Sequence, residues 1–144
     1  MVILLYILFN IIYTICAVPA GMISDKIGRK PVLVIGYLVF AITALELIFT
    51  SIHSILIPFI TYGIFYALTE GVQRAFVVDL APDHLKATAL GVFHMAIALV
   101  ALPCGVIAGL LWEQISPTAT FIYGATLSIT SVIGLMVITN GKQE

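Results

Sequence analysis

Five apolar runs, each about as long as a bilayer's hydrocarbon core is thick, follow one another along 144 residues with almost nothing between them. A helix needs about 20 residues to cross ~30 Å of lipid tail, and residues 2–22, 31–50, 55–80, 87–112 and 118–138 each meet that length. Lipid offers no partner for backbone N–H and C=O groups, so each run is expected to be a helix that satisfies them internally. The fold class is therefore an all-α membrane protein of five transmembrane helices, with a short tail at 139–144. No soluble domain fits in the remainder, and only 9% of the residues are charged against about 25% in a soluble domain.

The opening run could pass for a signal peptide, with Val18-Pro19-Ala20 imitating a cleavage site. It lacks a positive leading region, is too long, and has its basic residues behind it, so it reads as a first span. Cys16 and Cys104 fall in different spans and predict no disulfide framework. With six Lys and Arg, seven Asp and Glu and no basic stripe, nucleic acid is excluded as a partner.

The few charges are unevenly placed. Lys26, Arg29 and Lys30 follow the first span, Arg74 and Lys86 flank the exit of the third, and Lys142 follows the fifth. All six fall on one side, while the other carries only His53 and Glu113, so the positive-inside rule predicts an outside N-terminus and a cytoplasmic C-terminus. An abrupt start at an outside helix end and an odd number of spans suggest a missing upstream piece. The stretch from Ser24 to Lys30 is expected to be a cytoplasmic hairpin. Gly28 would supply a positive φ, Gly21 a close helix approach, and Pro31 would sit in the first turn of the next helix.

Two spans carry polar residues at helical spacing. Tyr62, Tyr66, Thr69 and Gln73 fall within about 60° of one another at 100° per residue, flanked by Glu70 and Arg74. Tyr6, Asn10, Tyr13 and Thr14 form a shorter stripe on the first span. Such stripes suit a helix facing water or a solute, although packing and hydrogen bonding inside the bundle would also use them. Glu70 and Arg74, spaced i, i+4, are placed to pair along one face. That pair suits a structural ion pair or the handling of substrate or a proton. Glu46 lies among Leu and Ile in the outer part of the second span, where snorkelling or protonation would relieve it. In the fourth span His94 reads as a hydrogen-bonded bundle histidine, Pro103 as a bend, and Gly105 with Gly109 as a close helix contact.

The stretch Gly21-Met-Ile-Ser-Asp25-Lys26-Ile-Gly28-Arg29-Lys30 resembles the signature loop of the major facilitator superfamily, G-x-x-[AS]-D-[RK]-x-G-[RK]-[RK], at every specified position. Asp79-Leu-Ala-Pro82-Asp-His-Leu-Lys86 is similar to a second turn of that family, D-x-x-P-x-x-x-[RK], with Lys in place of the usual Arg. The resemblance implies a twelve-helix fold of two six-helix halves, of which these five spans would be helices two to six or eight to twelve. The second half is favoured, because the chain stops just past its last span and the third span reads T-E-G-V-Q-R instead of R-x-x-x-G. It also implies that Gly21, Asp25, Lys26, Gly28, Arg29, Lys30 and Asp79 form a gating loop. Asp25 would face the start of the fourth span near Ala87 and Thr88, and Arg29 would reach Asp79. A path for the solute would run by Asn10, Tyr13, Tyr62, Tyr66, Thr69, Glu70, Gln73 and Arg74.

The function so implied is secondary transport of a small solute by alternating access, with a coupled proton left open. The lipid bilayer and a missing half, or another copy, would be the partners. The competing reading is a truncated interaction module with no transport of its own. No ATP-binding loop, G-x-S-x-G elbow or H-E-x-x-H pair is present, so neither a primary pump nor an enzyme is expected. No His or Cys cluster calls for a metal or haem, and no cofactor is implied. Leu102-Pro103-Cys104-Gly105 lacks the G-P and paired glycines of the family's antiporter signature, which counts against drug/proton antiport.

Overall fold

A computed structural model describes residues 2–49 and 54–140, and these form five long helices joined by short turns. They are α1 (Val2–Ile27), α2 (Arg29–Phe49), α3 (Leu56–Leu80), α4 (Lys86–Gln114) and α5 (Pro117–Asn140). Thr50, His53, Lys142 and the end of the tail, all used in the reading above, lie outside the described residues. Four of the helices are long and apolar enough to cross a membrane. The exception, α3, has the length at 25 residues and falls short on composition, because Glu70, Gln73 and Arg74 lie within it. Those polar residues find their neighbours on α1 and α2.

Turn chemistry sets the ends. The expected hairpin at 24–30 shrinks to a single non-helical residue, Gly28, whose φ of 97° is the only positive φ among the described residues. Ser24 to Ile27 continue α1 and Arg29 already opens α2, because leaving the hydrocarbon does not end a helix whose next residues still favour one. Pro31 stands in the first turn of α2, as expected. Between α3 and α4 the chain turns extended at Ala81, and Pro82 leads into one 3-10 turn, Asp83–Leu85. Ser116 caps α5: its Oγ accepts the Ala119 N–H at 3.1 Å, and Pro117 follows where no N–H is needed.

Packing is uneven. The core centres on Val32, Leu33 and Val72, with Tyr37, Leu68, Phe76 and Leu135 packed around them, so α2 lies between α3 and α5. Close approach is made at Gly36 and Gly63. A Cβ at Gly36 would stand 2.6 Å from Thr69 Cγ2, and one at Gly63 would stand 3.0 Å from Ile12 Cβ. The glycines named from the sequence behave otherwise. Around Gly21, Gly105 and Gly109 a Cβ would meet nothing within 4 Å, so the contacts expected there are not made within this chain. The fourth helix, though it contains Pro103, is continuous and has no buried residue.

Candidate functional site

Helix α3 is the polar helix of the chain, and its stripe lies at the border between the face turned to α1 and the face turned to α2. At 100° per residue small angular differences therefore divide it. Tyr62 and Tyr66 turn to α1, where Phe9 lies 5.3 and 5.6 Å from their ring centres. Thr69 and Gln73 turn to α2. Thr69 is only 3% exposed, packed on Gly36 with its hydroxyl on the Phe65 carbonyl, and the Gln73 amide donates to the Tyr37 hydroxyl at 2.8 Å. The expected single path thus divides. Thr69 and Gln73 serve packing, while Asn10, Tyr13, Tyr62 and Tyr66 line one groove of about 400 Å³ with Tyr6, Phe9 and Phe59.

Below that groove Glu70 joins two helices. Its Oε1 accepts from Arg74 Nη2 at 2.6 Å, the i, i+4 pair expected from spacing, and its Oε2 accepts from the Tyr13 hydroxyl on α1 at 2.8 Å. The side chain of Glu70 is 28% exposed and that of Arg74 52%. Both carboxylate oxygens thus accept hydrogen bonds and the charge is balanced locally, which lowers the cost of holding a partly buried acid between helices. Thr14 and Asn10 bond back to their own helix, at the carbonyls of Asn10 and Tyr6.

At the other end of the α1–α3 seam, Arg29 gathers the signature residues. Its Nε lies 3.0 Å from Asp79 Oδ2 on α3, and its Nη1 lies 2.5 Å from Asp25 Oδ1 and 2.6 Å from Ser24 Oγ. Asp25 is thus engaged across the Gly28 break and is 63% exposed. The placement expected for it, against the start of the fourth span, gives way to this pair. Ser24 is almost fully buried and hands its own proton to the Gly21 carbonyl. Lys30 sits over the Phe76 ring at 6.0 Å, and Lys26 is exposed. The second turn carries its own pair, Lys86 with Asp83 at 2.6 Å.

Two other expectations change. Glu46 neither snorkels nor stands alone, since the Thr61 hydroxyl donates to its Oε2 at 2.7 Å and so ties α2 to α3. His94 is exposed on α4, beside Phe93, and enters none of the hydrogen bonds found among the described residues. Sequence reading missed Tyr37, Thr61 and Ser128. Tyr37 is a junction of three helices, receiving Gln73 from α3 at its hydroxyl and the Ser128 hydroxyl from α5 at its carbonyl, 2.5 Å away. Neither Tyr37, alone in an apolar run, nor Ser128, one of several hydroxyl residues on α5, carries a local mark of its partner.

Residues 1–143, all but the last of the chain, match the family model described as Major Facilitator Superfamily. An uncharacterized MFS-type transporter of Methanocaldococcus jannaschii is 49% identical over 135 residues, which are 93% of this chain and 34% of that protein. The multidrug transporter MdfA of Edwardsiella piscicida is 36% identical over 120 residues, 80% of this chain and 28% of that protein. The chain therefore spans about a third of the length of the curated relatives it matches. Five long helices, a signature loop drawn together on Arg29 and a match along all but the last residue agree: the chain belongs to the major facilitator superfamily.

Proposed function

We propose that this chain supplies helices eight to twelve of a twelve-helix secondary transporter, which moves a small solute across the membrane by alternating access. The missing half, or another copy, completes the cavity. In this reading the transporter lies in the plasma membrane with residue 1 outside and the C-terminus cytoplasmic, and the Gly28 and Pro82 turns face the cytoplasm. The observation that carries the proposal is the polar lining of the α1–α3 seam. The hydroxyls of Tyr6, Tyr62 and Tyr66 have no hydrogen-bond partner among the described residues. Facing lipid they would stay unsatisfied, at a free-energy cost; facing a wet path they are solvated or meet a solute.

Opening and closing require contacts that form in one state only. Arg29, joined to Asp79 on α3 and to Asp25 on α1, is placed to act as such a latch at the cytoplasmic end. The Asp25 pair is local to the turn (i, i+4), while the Asp79 pair joins two helices; partly exposed and worth about 0.2–1 kcal/mol, the latter biases a two-state equilibrium by up to about fivefold. Glu70, held by one neutral and one charged donor, is the residue through which a proton would be coupled. The MdfA relatives are named as multidrug transporters, which makes drug-like solutes the first to try. Antiport with protons forms no part of the proposal, given the departure at Leu102-Pro103-Cys104-Gly105.

The test is uptake and efflux by the complete transporter in vesicles, combined with labelling of single cysteines from each side. Transport that falls with Glu70→Gln, together with labelling of position 27 from the cytoplasm alone, is expected. Labelling of position 27 from outside in intact cells would overturn the orientation, and Asp79→Asn that leaves accessibility on both faces unchanged would overturn the latch.

A further inference from the structure

The groove between α1 and α3 has a wall chemistry specific enough to name a class of solute. Its centre is Phe9, whose ring lies 5.3 to 6.3 Å from those of Tyr6, Tyr13, Tyr62 and Tyr66. Its volume of about 400 Å³ lies inside the range of roughly 300–1,000 Å³ typical of small-molecule sites. Aromatic walls select flat rings, which they meet offset or edge to face.

Charge narrows the class further. From Val2 to Ser24 on α1, and from Leu56 to Thr69 on α3, there is no Asp, Glu, Lys or Arg. The charges next to the groove are Glu70 and Arg74, and they cancel each other at 2.6 Å, with the second Glu70 oxygen taken by Tyr13. A cation entering here would be drawn to the ring faces but would find Glu70 already balanced by Arg74. An anion would meet the negative faces of the rings and Glu70. Because the Glu70–Arg74 pair is neutral as a whole, neither charge finds a net counter-charge in the groove to offset the hydration it gives up. A neutral solute needs no counter-charge, and the hydroxyls of Tyr6, Tyr62 and Tyr66, with the side-chain amide oxygen of Asn10, can bond its polar edge.

We infer that the α1–α3 groove takes a flat aromatic solute of no net charge that carries a hydrogen-bonding group on its edge. This rests on the transport reading above and names the substrate class of the same site.

Three probes of one ring system test it: 1-naphthylmethanol, 1-naphthylmethylammonium and 1-naphthoate. Binding to the complete transporter in nanodiscs is read against protein-free nanodiscs. The alcohol is expected to bind at least about tenfold more tightly than either charged probe. Loss of one ring in Tyr66→Ala should weaken it roughly threefold to tenfold, while Tyr66→Phe, which keeps the ring, should stay closer to wild type. A charged probe that binds as well as the alcohol would overturn the inference, as would a Tyr66→Ala protein of normal stability that binds the alcohol unchanged. Movement of the same probes in proteoliposomes separates this from the broader reading. Tyr66-dependent transport of a charged probe alone would keep the transporter and discard the neutral class. Tyr66-dependent binding of the alcohol, with none of the three probes moved, would keep the class and count against transport through this seam.

Discussion

Helices α3 and α4 have similar length and lie in the same chain, yet α3 is held on two sides while α4 leaves every residue at least partly open. The first carries Thr61, Thr69, Glu70, Gln73 and Arg74: Thr61, Glu70 and Gln73 bond to side chains of another helix, Arg74 pairs with Glu70 on its own helix, and Thr69 packs against Gly36. The second carries His94, Cys104 and small residues; the Tyr123 hydroxyl approaches the Cys104 sulfur at 3.9 Å and Thr120 reaches the Ala108 carbonyl at 3.2 Å. In a bilayer, apolar area cannot choose one neighbour over another, because lipid tails are as apolar as Leu. Polar side chains and close-packed glycines do the choosing. The difference teaches that hydropathy reports which segments enter the membrane, while the exceptions to it report which helices meet.

The largest effect should come from the glycines that α3 depends on or supplies. Gly36→Leu pushes into Thr69, which cannot move aside within a helix, and overpacking of this kind costs about 1–3 kcal/mol. Gly105→Leu on α4 meets open space and should change thermal stability of the complete transporter little. Equal losses in melting temperature would break the contrast.

A second comparison sets two acids against each other. Glu70→Gln leaves Arg74 without its counter-charge; if α3 spans the bilayer as proposed, an unpaired ionised group near its centre costs about 2.5–3.5 kcal/mol on insertion scales. Transport should drop about tenfold or more. Glu46→Gln keeps an acceptor for Thr61 and should stay within about twofold. Equal losses at equal expression would remove the special role of the seam. Restoration by the exchange Glu70→Arg with Arg74→Glu would mark the pair as structural and not as a handler of substrate.

The smallest effect concerns Ser128→Ala, which removes one hydrogen bond onto the Tyr37 carbonyl and should cost about 0.5–1.5 kcal/mol. His94→Ala, on the open face of α4, should cost less, and thermal denaturation of both variants side by side would rank them.

Much of this was legible before any coordinates. The five helices fall within a few residues of the expected runs, because hydrophobic length is a local property. The largest boundary shift is at α1, which ends at Ile27 and not at Met22, since the sequence marks where the membrane ends and the helix continues past it. The Glu70–Arg74 pair was legible because it is set by i, i+4 geometry on one helix. What was not legible depends on how helices rotate against each other. Thr69 and Gln73 share the stripe of Tyr62 and Tyr66 on a helical wheel, yet α2 claims two and α1 claims two. Tyr37 and Ser128 come together across 91 residues, and nothing local to either announces it.

Under the proposed function the α1–α3 seam borders a wet path, and the exposed apolar face of α5 that carries Ile129 and Ile133 would border lipid. That contrast is tested most directly by placing one cysteine at Tyr66 and, separately, one at Ile129, exposed on α5. Cys16 and Cys104 would first be replaced by Ser. The complete transporter, in membranes, is then treated with a water-soluble maleimide. Tyr66→Cys is predicted to react, at a rate that falls when solute is added, while Ile129→Cys stays unlabelled. A silent Tyr66→Cys beside a reactive Ile129→Cys would contradict the account.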